Sequence, residues 1–284
     1  METIRLARVM RETAIKEKRN GKSIGFVPTM GALHEGHLSL LRTARAENDI
    51  VVASIFVNPT QFSPGEDFDR YPRSVGDDLE KLEGLADLVF LPEKETMYPP
   101  DFSTRVEIEG MSGAMCGPFR PGHFQGVATV VLKLFNIVQP SRAYFGQKDY
   151  QQAAIIKRMA RDLDLPLEVI VCPTVRESGG LALSSRNAYL KPEERKAAAA
   201  LYRALQAGAK ALKEGQREAG LIGGIMRKAL SEEPLVSQVQ YISAYDAETL
   251  KELVIIEKNN VVLAGAVVVG TTRLIDNLLV NDLK

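Results

Sequence analysis

The sequence contains no tryptophan, and aromatic residues make up only 6% of its 284 positions. Single-stranded nucleic acid is usually gripped by stacking bases on exposed rings, so this scarcity removes one platform for such a partner. Charge of neither sign is in excess: 36 Lys and Arg face 36 Asp and Glu. A polyanionic nucleic acid or an anionic membrane surface would have no global field to follow, and any anion site must be local. Cysteine is nearly absent. Cys116 and Cys172 are the two, too few for a disulfide framework and in keeping with a reducing cytoplasm. The first residues do not combine a basic segment, an apolar stretch and a small-residue cleavage site, so no secretory leader is expected. The longest apolar run, Val261 to Val269, is broken by Gly265 and falls well short of the roughly 20 residues that span a bilayer. It reads as a buried strand. Histidine is also scarce, with three in the chain, which makes the position of each informative.

What is present is the composition of a folded globular chain, 45% hydrophobic and 25% charged, and the length favours two domains. Strand-like runs occur at Ile24 to Val27, Ile50 to Val57, Leu88 to Leu91, Ala143 to Phe145 and Val169 to Cys172. Helical periodicity lies between them, through Leu38, Leu41 and Ala44, Leu79 and Leu82, Val127 to Val138, and Ile155, Met159 and Leu163. Alternating strands and helices predict an α/β fold, a parallel sheet with helices on both faces, whose ligands bind beyond the carboxyl ends of the strands. After Arg186 the pattern changes. Pro192 opens one long Ala-, Glu- and Arg-rich helix to about Glu214, a second helix follows near Leu221 to Leu230, and Val236 to Ser243 and Asn260 to Val269 read as antiparallel strands. The expected division is a larger domain over residues 1–186 and a smaller α+β domain over residues 187–284.

Four strand-end loops concentrate the polar chemistry. The first, Pro28-Thr29-Met30-Gly31-Ala32-Leu33-His34-Glu35-Gly36-His37, leads from a strand into an amphipathic helix. Unpaired N–H groups and the helix dipole favour phosphate there, glycine lets it approach, and His34 and His37 can donate to its oxygens. Alone, such a His pair reads as capping or surface histidine; a zinc site lacks a third ligand at a recognisable spacing. The second loop, Asn58-Pro59-Thr60-Gln61-Phe62, puts two neutral amides at a strand end, suited to hydroxyl and carboxylate groups. The third histidine, His123, follows Arg120 in the Gly/Pro-flanked stretch Arg120-Pro121-Gly122-His123. The third loop, Phe145-Gly146-Gln147-Lys148-Asp149-Tyr150-Gln151-Gln152, supplies an ammonium for phosphate, a carboxylate for a helix cap, a ribose or a metal, and Gln152 facing the same cleft. The fourth, Val175 to Asn187, carries Gly179-Gly180 and then Leu183-Ser184-Ser185-Arg186, a flexible segment expected to close over a leaving phosphate. Glu66, Asp67 and Asp69, and the pair Asp77-Asp78, read as solvated faces, the pair with the option of contributing to a magnesium site.

Taken together, H-x-G-H at residues 34–37 (His34, Gly36, His37), N-P-x-Q-F at 58–62, G-Q-K-D-Y-Q-Q at 146–152, S-S-R-N at 184–187 and the ending Arg273-Leu274-Ile275-Asp276-Asn277 closely resemble the pantoate-β-alanine ligase family of the nucleotidyltransferase superfamily. The resemblance runs through nearly the whole chain. It implies a Rossmann-like fold with a smaller C-terminal domain serving as lid or dimer platform, a homodimer, and condensation of (R)-pantoate with β-alanine by way of a pantoyl adenylate, with ATP as substrate and Mg²⁺ as its accompanying ion. Carried over by position, Met30, Gly31, Ala32, Leu33, His34, Glu35, Gly36, His37, Gly146, Gln147, Lys148, Asp149, Val175, Leu183, Ser184, Ser185 and Arg186 would contact ATP. Gln61 and Gln152 would hold pantoate, with Asn58, Arg120 and His123 in the same substrate-binding group. His37 would be the proton donor to the departing phosphate, and His34, Lys148, Ser184, Ser185 and Arg186 would share its charge. One departure is visible: Gly179-Gly180 stands where the family usually has Asp-Gly. Two other readings are another H-x-G-H adenylyltransferase and a non-catalytic nucleotide-binding protein.

Overall fold

The computed structural model describes residues 1–257 and 259–281. In chain order the first half contains β1 (Glu2–Ile4), α1 (Ala7–Arg19), β2 (Ile24–Thr29), α2 (Glu35–Glu47), β3 (Ile50–Ile55), α3 (Val75–Leu82), β4 (Leu88–Phe90), α4 (Lys94–Met97), α5 (His123–Val138), β5 (Arg142–Gly146), α6 (Tyr150–Asp162) and β6 (Glu168–Cys172). The strands form one sheet in the order β1-β4-β3-β2-β5-β6, and every pairing in it is parallel. Strands covered on both faces need apolar residues at every position, which is why Ile24 to Val27 and Val51 to Ile55 show no alternation and are buried throughout. One face packs Val27, Val51, Ala53, Val89 and Tyr144 against Leu41, Ala44 and Leu82 of the covering helices. On β2, Phe26 meets Phe135 of α5 edge to face with ring centroids 6.5 Å apart.

Each expected strand of this half is present, and β1, α1 and the short α4 are additions. A three-residue strand is too short to display a period, and β1 exists because it extends the edge of β4, with Glu2, Thr3 and Ile4 opposite Leu88, Val89 and Phe90. Strand order reverses between β2 and β5, the two strands paired at Gly25 with Arg142 and Phe26 with Ala143. The crevice beyond the carboxyl ends of two such strands is where folds of this class take ligands.

By packing, the chain forms two compact units: one of residues 1–112, 120–146 and 155–173, the other of residues 113–119, 147–154 and 174–284. Packing thus separates the polypeptide differently from the sequence boundary at Arg186. The second unit contains α7 (Pro192–Ala198), α8 (Ala200–Lys213), α9 (Ala219–Ser231), β7 (Val236–Asp246), β8 (Val261–Val269) and β9 (Thr272–Val280). Its three strands are antiparallel in the order β7-β8-β9, and the apolar run of β8 is the central strand. Leu201, Leu205, Leu212, Ile222 and Met226 cover Ile242, Leu263 and Val267. The single long helix expected from Pro192 is instead two, meeting at Ala199. β9 is the third strand, hidden in the sequence because Arg273, Asp276 and Asn277 interrupt its apolar residues. Among the described residues no helix is long and apolar enough to cross a membrane.

The segment carrying Gly179-Gly180 is a short antiparallel hairpin. Arg176 pairs with Ala182, the Glu177 N–H donates to Leu181 O at 2.8 Å, and the Leu183 N–H donates to Val175 O at 3.0 Å. Gly180 has φ +92°, and a Cβ there would lie 2.6 Å from the Tyr202 ring, so glycine is required. Gly179 has an ordinary negative-side φ and open space around its Cα. Gly179→Ala should therefore stabilise the protein by about 0.4–1 kcal/mol, by restricting the unfolded chain. Urea denaturation checks it, and a lowered midpoint would show that Gly179 needs its freedom.

Candidate active site

In the first unit the loop after β2 turns through two residues with positive φ, Gly31 at 82° and Ala32 at 51°. The second is costly for a residue with a Cβ, and α3 shows what holds it. Asp78, 1% exposed, accepts hydrogen bonds from Ala32 N at 2.8 Å (Oδ2) and Leu33 N at 2.7 Å (Oδ1). Lys81, one turn later, donates to Leu33 O at 2.9 Å. A Cβ on Gly31 would lie 2.9 Å from the same Asp78 carboxylate. This corrects the sequence reading of Asp77-Asp78 as a solvated face: Asp78 is buried and organises the loop.

The loop ends at the amino terminus of α2, where His34 is the N-cap. Its Nδ1 accepts from Gly36 N at 3.2 Å. His37, three residues on, accepts from His34 N through its own Nδ1 at 3.4 Å, and the two rings lie 4.1 Å apart. An Nδ1 that accepts carries no proton, so in the neutral state both imidazoles have their N–H at Nε2. The arrangement is a reciprocal cap in which histidines replace the usual hydroxyl and carboxylate. It sets two imidazole donors at a helix start, where the dipole already favours an anion.

The two amides after β3 have different situations. Asn58 is 1% exposed, and its side chain is fully occupied within the protein: Oδ1 accepts from Tyr98 Oη at 2.9 Å and Thr60 Oγ1 at 3.0 Å, and Nδ2 donates to Gln61 Oε1 at 3.1 Å and Gly126 O at 3.2 Å. Gln61 is thereby oriented, and its Nε2 lies 2.8 Å from Met30 Sδ. Arg120 and His123 continue this cluster. The Arg120 guanidinium donates to both oxygens of Glu66, at 2.8 and 2.7 Å, and lies 2.9 Å from His123 Nε2. His123 Nδ1 is 2.7 Å from Gln61 O. An arginine can only donate and a carbonyl can only accept, so His123 is the Nδ1–H tautomer, the opposite of His34 and His37. His123 opens α5 and is 7% exposed, so despite its Gly- and Pro-flanked position it belongs to the interior. Glu66, expected on a solvated face, is half-buried. Burial opposes its charge, and the bonds from Arg120 outweigh that, so its carboxyl is held below the usual range.

In the second unit, residues 147–149 form a 3-10 turn leading into α6. Lys148 Nζ lies 3.4 Å from Asp149 Oδ1. Gln152 is half-buried in the first turn of α6, whereas its neighbour Gln151 is committed internally, accepting from Cys116 N at 3.0 Å and donating to Ala114 O at 2.7 Å. Tyr150 donates to Ala247 O at 2.9 Å, and burial, then Asp246 and Glu248, push its phenol up to about 12. Val175 and Leu183 face each other across the hairpin, which delivers Ser184 as N-cap of the 3-10 turn Ser185–Tyr189, its hydroxyl accepting from Arg186 N at 3.3 Å. The predicted residues thus form two groups. His34, His37, Asn58, Gln61, Arg120 and His123 belong to the first unit; Gln147, Lys148, Asp149, Gln152, Val175, Leu183, Ser184, Ser185 and Arg186 belong to the second. Sequence reasoning missed Asp78 and Lys81, whose only signal is a charged pair three apart on a short helix. Among the described residues no three His, Cys, Asp or Glu side chains gather to hold a metal.

A family model described as pantoate-beta-alanine ligase matches residues 2–279. Relatives named pantothenate synthetase include one from Thermodesulfovibrio yellowstonii, 57% identical over 99% of this chain and 100% of its own length. Another, from Moorella thermoacetica, is 55% identical over 99% and 100%. Among solved structures, a pantothenate synthetase from Thermus thermophilus superposes with a TM-score of 0.93 at 47% identity, covering 99% of this chain and 100% of that one. A pantoate-beta-alanine ligase from Francisella tularensis, described as complexed with beta-gamma ATP and beta-alanine, gives 0.79 at 35% identity over 98% and 97%.

Proposed function

This chain belongs to the pantoate-beta-alanine ligase family over residues 2–279, and we propose that it joins (R)-pantoate to β-alanine at the expense of ATP, giving AMP and pyrophosphate. A pantoate carboxylate oxygen attacks the α-phosphorus, the bond to the β-phosphate oxygen breaks, and pyrophosphate departs. The β-alanine amine then attacks the acyl carbon of the bound adenylate, loses a proton, and AMP leaves. Transfer of this kind asks the protein mainly for positioning and charge stabilisation.

In this reading the main-chain N–H groups at the start of α2, with residues 30–37, 146–149, Val175 and 183–186, serve the nucleotide. His37, entering the step as an imidazolium, donates its Nε2 proton to the departing phosphate, keeps the one at Nδ1 and gives up the long contact with the His34 N–H. His34, Lys148, Ser184, Ser185 and Arg186 share the phosphate's charge. Gln61 and Gln152 hold pantoate. Asn58, Arg120 and His123 act on the substrate through Gln61, whose side chain and carbonyl they fix. The observation that carries this reading is the histidine pair at α2, with Nδ1 turned inward on both rings. Mg²⁺ arrives on the phosphates as MgATP, since a hard cation bound through phosphate and water oxygens needs no carboxylate cage. A functional division at Arg186, a homodimer and a cytoplasmic location complete the proposal; two buried, unpaired cysteines suit that compartment.

The test is isotope exchange between pyrophosphate and ATP. Exchange is expected with MgATP and (R)-pantoate in the absence of β-alanine. Exchange that needs the amine would argue against a free-standing adenylate, and none with either substrate would remove the assignment. Light scattering on an eluting size-exclusion peak reads the dimer.

A further inference from the structure

β9 is the edge of the small sheet, and two adjacent residues in its middle, Asp276 and Asn277, are 5% and 3% exposed. Placing an ionisable group and an amide side by side among Leu274, Ile275, Leu278 and Leu279 is unfavourable unless every polar atom is matched. The matches go to two different loops. Asn277 Nδ2 donates to Gln147 O at 2.9 Å and Lys148 O at 3.0 Å, and its Oδ1 accepts from Gln147 Nε2 at 3.3 Å. Asp276 takes a two-pronged bond from Arg176, at 2.5 and 2.9 Å. The same guanidinium donates to Gly180 O at 3.1 Å and Asn277 O at 3.3 Å, and lies 3.8 Å from the centroid of the Tyr202 ring. The free edge of β9 is thus covered by the two segments that carry Lys148 and the run from Ser184 to Arg186.

We infer that Asp276 and Asn277 are positioning residues for the adenylylation step: Asn277 fixes the main chain from which Lys148 projects, and Asp276, through Arg176, fixes the hairpin that delivers Ser184, Ser185 and Arg186. The inference rests on the nucleotide role proposed above for Lys148 and those residues. A displacement of about 1 Å in a charge-stabilising group can cost on the order of a hundredfold in rate, so two bonds to the peptide groups at Lys148 matter more for rate than for the fold of a sheet edge.

The experiment compares wild type, Asn277→Ala and Asn277→Asp, the latter of equal size but with no donor, in pyrophosphate exchange with pantoate and MgATP. Both variants are expected to lose about 10- to 100-fold in exchange kcat, with KM for pantoate within about twofold of wild type. The same substitution is then made in a Lys148→Ala background. If Asn277 acts through Lys148, its loss there adds little; independent structural damage would multiply the two losses. Should the alanine variant not accumulate folded, Asn277→Ser, which keeps one donor, takes its place. Wild-type kcat in Asn277→Asp, or multiplicative losses in the double variant, overturns the inference. Absence of exchange in the wild type would instead overturn the proposed function.

Discussion

His37→Ala should lower turnover by about 10²- to 10⁴-fold, the range for a positioned proton donor, while leaving the thermal transition nearly where it is. The ring is half-buried at a helix start, and its contact with the His34 N–H is a long one, at 3.4 Å. The loss should fall on kcat for pyrophosphate exchange more than on KM for ATP, because the group acts on charge that develops as the phosphate departs. A His37→Ala enzyme turning over within a few-fold of wild type would take the residue out of the chemistry. His37→Gln gives a finer reading. Its amide can donate but cannot yield a proton, so activity restored by glutamine would make His37 a hydrogen-bond donor only.

Asp78→Ala is expected to have the second large effect, and on stability first. The carboxylate accepts two main-chain N–H groups, that of Leu33 buried and that of Ala32 half-buried. Leaving a buried donor unmatched costs about 1–3 kcal/mol each, so a total of up to about 2–6 kcal/mol should appear as a lower denaturation midpoint at unchanged slope. Asp78→Asn keeps one acceptor and should lose about half as much. Both variants should also raise KM for ATP, since the carboxylate holds Ala32 by its N–H while that residue sits at positive φ. An alanine variant with a wild-type midpoint would mean that the loop holds its shape without the carboxylate.

The comparison of Asp78 with His34 shows where the sequence is readable. His34 and His37 stand out because their spacing, the preceding strand and the following amphipathic helix are consecutive in the chain, from Ile24 to Glu47, so local rules describe them fully. Asp78 acts on residues 45 and 46 positions earlier in the chain, and no local pattern distinguishes it from Asp77, which is exposed. Asn58 and His123 fail in a subtler way. Their residue types mark them as polar groups able to bind a ligand, but whether an amide or imidazole faces ligand or protein depends on partners such as Tyr98 and Gln61 O, which the fold brings near. The parallel strands were legible because burial on both faces gives unbroken apolar runs. β9 was not, because its middle is given over to Asp276 and Asn277, whose burial depends on Arg176, 100 residues from Asp276, and on the carbonyls of Gln147 and Lys148, 130 and 129 residues from Asn277. The break at Ala199 escaped for the opposite reason: alanine suits a helix everywhere, and where one helix stops is decided by packing.

The second unit is stitched from three separate stretches of chain, residues 113–119, 147–154 and 174–284. A protein engineer who expressed only the longest of them would discard the Cys116 thiol that sits 3.1 Å from Tyr241 Oη, the Phe119 ring stacked on Tyr241 and the Tyr150 hydroxyl bound to Ala247. The fragment would expose more of Tyr241, a half-buried side chain in the protein, and should clump or melt early. Grafting this part onto another scaffold, or trading it between relatives, therefore demands that all three strips travel together.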